Sequence, residues 1–146
     1  MTTARDCART RSTVPKRLRR PSDVVALVQA VLDDQLPPPG EVVICLDAER
    51  RLTGLALRPE AGEHPVDAEQ LVDLAHELDA TAVVLVSFLF DERELAIEAD
   101  VDGFLALARA CLERHVLLFD HVLLAGGSWR SMWDVARASA TGDPAA

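Results

Sequence analysis

Thr81-Ala82-Val83-Val84-Leu85-Val86-Ser87-Phe88-Leu89-Phe90 is the most hydrophobic stretch of the chain. Val83, Val84 and Val86 are β-branched, stiff about χ1 and well suited to a pleated surface, so the segment reads as a strand rather than a helix. From Ala82 to Val86 no polar side chain is available to face water. Such a strand must be covered on both faces, which places it at the centre of a sheet.

On its N-terminal side, Ser22 to Asp34 carries Val24, Val28 and Val31 at helical spacing, with Ser22 placed to cap the helix. Pro37-Pro38-Pro39-Gly40 is a stiff connector, and Glu41 to Leu46 is a second apolar strand. Asp47 to Arg50 turns the chain into a returning strand, Arg51 to Leu57, weakened by Gly54; Arg58 to Pro65 is a loop. Asp67 to Asp79 is a helix with a capping box in Asp67 and Gln70. On the C-terminal side, an acidic segment, Asp91 to Asp102, leads into a helix bearing Phe104, Leu105, Ala108, Cys111 and Leu112. Val116 to Ala125 is a further strand, Gly126-Gly127 a turn, and Ser128 to Ala138 contains Trp129, Met132 and Trp133. Strands interleaved with helices imply an α/β fold, a three-layer α-β-α sandwich around a mixed sheet with at least one hairpin.

The 146 residues suit one core, 49% are apolar and 27% charged, and no apolar stretch approaches the ~20 residues of a membrane span. Residues 1–20 lack the ~7 to 15 residue apolar segment of a secretory signal, so the expected location is cytoplasmic. Cys7, Cys45 and Cys111 are far apart with no Cys-x-x-Cys pair, and read as small hydrophobes. Seven basic residues (Arg5, Arg9, Arg11, Lys16, Arg17, Arg19, Arg20) against Asp6 give residues 1–20 a charge of +6, so the net −9 leaves −15 on the rest. The domain organisation expected is thus a basic flexible arm (1–20), one ordered domain (21–138) and a frayed tail (139–146). The body would repel a phosphate backbone, whereas Arg9, Arg11, Lys16, Arg17, Arg19 and Arg20 could contact nucleic acid; a solvated leader is the simpler reading.

Three segments in order carry a family resemblance. Pro21-Ser22-Asp23-Val24 opens a helix that precedes Val42-Val43-Ile44-Cys45-Leu46-Asp47-Ala48-Glu49-Arg50-Arg51-Leu52; the strand Ala82 to Ser87 follows the helix Asp67 to Asp79; and Phe119-Asp120-His121-Val122-Leu123-Leu124-Ala125-Gly126-Gly127 comes after. Together, over residues 21 to 133, they resemble a RadC-type JAB (MPN) domain, a metallopeptidase-like family of cytidine-deaminase-like architecture. The resemblance implies a zinc hydrolase frame: a His-x-His pair after the central strand, an Asp in a Ser-x-x-Asp motif, and an upstream Glu that polarises the water. A catalytic zinc needs three protein ligands and one open position for that water. Here the histidine positions fall on Ser87 and Leu89, and the motif serine on Ile97; Asp100 alone matches. The Glu is sought near Gly54 to Leu57, which holds no acid. The resemblance therefore implies a pseudoenzyme without zinc or other cofactor, serving as a protein-binding or scaffold module through an unknown partner or self-association.

Other readings stay open beside it. A metal-dependent hydrolase of the peptidase or isopeptidase kind could use a site rebuilt from Asp91, Glu92, Asp100 and His121, with Asp100 and His121 as the metal candidates. The plainer reading makes Asp100 a first-turn helix acid and His121 a satisfied, half-buried histidine. A serine nucleophile would need Ser87 or Ser128 beside a histidine, and Gly126-Gly127-Ser128 lacks the Gly-x-Ser-x-Gly elbow. Trp129, Met132 and Trp133 are candidates for an interface, or for the core. A DNA-associated accessory role would rest on the basic arm.

Overall fold

Five strands form one mixed sheet in the computed structural model, which describes residues 17–32, 40–58, 66–97 and 100–140. Strands β1 (Glu41–Leu46) and β2 (Leu52–Arg58) are an antiparallel hairpin, and β1 pairs antiparallel with β3 (Ala82–Phe88) on its other side. β3 runs parallel to β4 (Leu117–Ala125), which turns back into β5 (Ser128–Ser131), so the order is β2-β1-β3-β4-β5. The helices are α1 (Pro21–Leu32), α2 (Ala68–Glu77), the single turn α3 (Glu94–Ile97), α4 (Val101–Glu113) and α5 (Met132–Ala140).

The apolar stretch takes the middle place its composition requires. Val84 and Val86 pack with Val42, Ile44 and Leu46 beneath Val24, Leu27 and Val28 of α1. Val83 and Leu85 pack with Val43 and Cys45 beneath Leu71, Val72 and Ala75 of α2 and Phe104 and Cys111 of α4. Neighbours along a strand point to opposite faces, so one sequence run feeds two cores. Each fully buried aliphatic side chain contributes about 1.5 to 3 kcal/mol. With helices on both faces of the sheet, the molecule is an α/β sandwich.

α2 starts with the expected capping box: Gln70 N donates to Asp67 Oδ1 (2.8 Å) and Asp67 N to Gln70 Oε1 (3.0 Å). Three expectations need correction, and one strand is added to them. α1 begins at Pro21, and its end is tied by Asp23, which accepts from the Arg19 and Arg20 amides (2.9 and 3.0 Å), rather than capped by Ser22. The arm gives way to the fold before residue 20, because Leu18 is buried in the α1 core and its N–H donates to the Arg50 carbonyl (3.1 Å). Ser128–Ser131 is a strand, since Gly126, at φ 60°, lets the chain reverse beside β4. α5 continues to Ala140, past the expected start of the tail.

β4 carries a bulge that matters for the site. Val83 lies opposite Leu118 but Val84 opposite Asp120, so Phe119 is an extra residue. The shift sets His121 opposite Leu85, on the face that β3 shares with α2 and α4.

Candidate functional site

Three cross-strand neighbours meet where β1 begins and β3 ends. Glu41 pairs in register with Ser87 on one side and with Arg58 on the other. Ser87 Oγ donates to Glu41 Oε2 (3.1 Å) and lies 2.8 Å from His121 Nε2, while Arg58 Nη1 donates to Glu41 Oε1 at 2.7 Å. A serine hydroxyl has one proton, so directing it at Glu41 requires His121 to donate from Nε2. Burial drives His121 down to about 4, which leaves its ring neutral at physiological pH. Burial also raises Glu41, and its bonds with Ser87 and Arg58 offset part of that shift.

This polar chain forms the floor of a cavity of about 740 Å³. Phe88, Leu89, Phe104, Leu107 and Leu123 supply apolar walls; Glu41, Asp67, Glu94 and Asp100 supply acids, and among the described residues no lysine or arginine lines it. Apolar walls with a few convergent polar groups are the usual make-up of a ligand site, and the volume lies within the usual range of ~300 to 1,000 Å³. The cavity also lies at the carboxyl ends of the parallel pair β3 and β4, where open α/β sheets bind ligands.

Of the residues singled out in the sequence, Ser87, Leu89, Asp100 and His121 all line this cavity. Leu89 packs on the α2 and α4 core, and its N–H donates to the Leu124 carbonyl at 2.8 Å. Asp100 is exposed and caps α4, accepting from Gly103 N at 3.0 Å. A Cβ on residue 103 would strike that carboxylate, so glycine permits the cap. Ile97 ends α3, and its side chain lies outside the described set. Asp91 and Glu92 are engaged elsewhere: Asp91 accepts from Arg93 N (2.9 Å), and Glu92 from Ser128 Oγ (2.7 Å). Among the described residues, no three His, Cys, Asp or Glu side chains converge as a ligand set. The donors do not fit the zinc that the JAB resemblance implies: Leu89 presents an alkyl group, Ser87 a neutral hydroxyl already shared with Glu41 and His121, and Asp100 a capping carboxylate.

The sequence reading missed Glu41 and Asp120. An acid was sought on Gly54 to Leu57, but that segment lies in the edge strand β2, separated from β3 by β1. Glu41, the first residue of β1, is directly beside Ser87 instead. Its signal was an acid opening a strand otherwise buried, but only the strand pairing says what it touches. Asp120 is 3% exposed and accepts from Ser131 Oγ (2.5 Å), His121 N (2.8 Å) and Trp133 N (3.2 Å). Burial raises its pKa, and those donors pull it back.

The aromatic cluster divides. Trp129 is exposed on the edge strand β5, opposite Leu124. Met132 is corrected as an interface residue, being 1% exposed, and Trp133 is half-buried edge-on to Phe104 (5.0 Å between ring centroids, 88°). Arg17, Arg19 and Arg20 precede α1, whereas Arg9, Arg11 and Lys16 lie outside the described residues. No described helix is long and apolar enough to cross a membrane. Neither a protein-family model nor a curated protein matches the chain.

Proposed function

We propose that this chain is a JAB-like domain in which the frame of a zinc hydrolase serves binding instead of hydrolysis, and that its cavity takes an apolar partner segment bearing a positive charge. What carries the reading is the Ser87 hydroxyl joining Glu41 to His121 at the cavity floor. Glu41 is an acid directly beside Ser87, one of the positions where the resemblance would place a zinc ligand. Held by Ser87 and Arg58, and beside a neutral imidazole, it has its hydrogen-bonding capacity directed at protein groups rather than at a reacting water. The walls favour an apolar occupant, and the lining acids, with no lysine or arginine among the described lining residues and His121 neutral, favour a cation.

Two measurements test this. Titration with zinc should show no stoichiometric uptake by the protein, whereas the double variant Ser87→His with Leu89→His should gain a site beside Asp100. One zinc per chain in the unaltered protein, lost on Asp100→Ala, would overturn the proposal. Calorimetry with hexylammonium and hexanoate should show the cation binding about tenfold more tightly; equal affinities would remove the charge argument.

A second reading, a metal-dependent hydrolase rebuilt around Asp100, has in its favour that Asp100 and His121 line the same cavity. It requires a metal-dependent activity that Asp100→Ala abolishes.

A further inference from the structure

At the opposite end of the sheet, three arginines distant in sequence surround a second depression of about 440 Å³, with Phe119 and Trp133 in its wall. Arg19 comes from the segment before α1, Arg50 from the turn between β1 and β2, and Arg137 from α5. The backbone fixes all three. Arg50 sits at φ 65° in a turn closed by its N–H on the Asp47 carbonyl (3.0 Å), and its own carbonyl receives the Leu18 N–H (3.1 Å), which ties Arg19's segment to the hairpin. Arg137 lies one helical turn beyond Trp133, whose N–H is held by Asp120.

Among the described residues, the acids next to this patch are engaged or screened: Asp23 accepts from the Arg19 and Arg20 amides, and Asp47 from the Glu49 and Arg51 amides. Asp120, in the floor, is buried and accepts three hydrogen bonds. Asp134 pairs with Arg137 at 2.6 Å, but both side chains are more than half exposed, so water screens the pair. Arg19 and Arg50 make no ion pair among the described residues. In a chain of net charge −9, a converged arginine set is a local exception. The aromatic component is specific as well. The Arg50 guanidinium lies 4.7 Å from the Phe119 ring centroid, so the plane of the guanidinium is backed by a ring on one side. Guanidinium planes and indoles are surfaces on which nucleobases stack, while arginine forks match phosphate oxygens.

We infer that this groove binds a nucleotide, with the phosphate between Arg19 and Arg137 and the base against Arg50 and Trp133. The occupant is either a free mononucleotide or a residue of a single strand, which share this chemistry. Binding by the full chain would be followed by calorimetry at low salt, with AMP, adenosine, inorganic phosphate and a short oligothymidylate as probes. AMP should bind at least about tenfold more tightly than adenosine or phosphate alone. Arg19→Glu with Arg137→Glu should weaken AMP by about tenfold or more, while Arg93→Glu, an exposed residue outside the groove, should not change it. Tighter binding of the oligonucleotide assigns the groove to a strand, and tighter binding of AMP assigns it to a free nucleotide. Failure of both to bind at ~1 mM, affinity untouched by charge reversal in a variant that melts like the parent, or phosphate binding as well as AMP would each overturn the inference.

Discussion

Glu41 and Asp120 are carboxylates in the floors of two depressions at opposite ends of one sheet, and desolvation raises the pKa of both. Their neighbours separate them. Asp120 accepts from two backbone amides and a serine, and so fastens β5 and the start of α5 to β4. Among the described residues Glu41 is held by side chains, Ser87 and Arg58, and one face of that arrangement opens into the larger cavity. A buried acid bonded to backbone is part of the scaffold, whereas one bonded to side chains above a cavity can exchange a partner for a ligand.

Asp120→Ala should break this contrast most severely. It orphans the Ser131 hydroxyl and the Trp133 amide, and should lower unfolding free energy by about 3 kcal/mol in denaturant titration. If Glu41→Gln, which keeps an acceptor for Ser87, costs as much, the two acids do the same structural work and the contrast fails.

His121 sharpens the contrast through pH. Its folded pKa is about 4 against an ordinary histidine value of 6.5, so between these values the unfolded chain binds more protons. Stability from this group therefore rises with pH through that window, by on the order of 3 kcal/mol in full. Glu41 and Asp120, raised when folded, act oppositely above the ordinary carboxylate range. His121→Asn should flatten the rise between about pH 4 and 6.5 in denaturation curves; an unchanged slope would show that His121 is not desolvated.

Ser87→Ala should cost only about 1 kcal/mol, because Glu41 and His121, the residues it releases, line the cavity. A cost approaching that of Asp120→Ala would make the larger cavity's floor structural. The smallest effect is expected for Asp134→Ala, which removes the exposed partner of Arg137 and should change stability by no more than ~0.5 kcal/mol.

Much of the frame was legible because it rests on local periodicity. The β-branched run from Ala82 to Val86 could only be a covered strand, and Asp67 with Gln70 marked a helix start that the structure reproduces. Helix ends and the last strand were less legible. Asp23 ties the start of α1 through its reach back to Arg19 and Arg20, and Ser128–Ser131 is too short for alternation to register as a strand. Asp100 was readable as a first-turn acid, and it is the cap of α4.

The sequence by itself determined which segments must be buried, that strands alternate with helices, and that Ser87 and Leu89 offer no imidazole. These follow from side-chain chemistry and spacing along one segment. Only the tertiary structure decided that Glu41 stands beside Ser87, that a bulge at Phe119 turns His121 to meet them, and that Arg19, Arg50 and Arg137 share one groove. Those meetings depend on strand register and on the packing of helix ends, which join residues dozens of positions apart and leave no periodic trace in the chain.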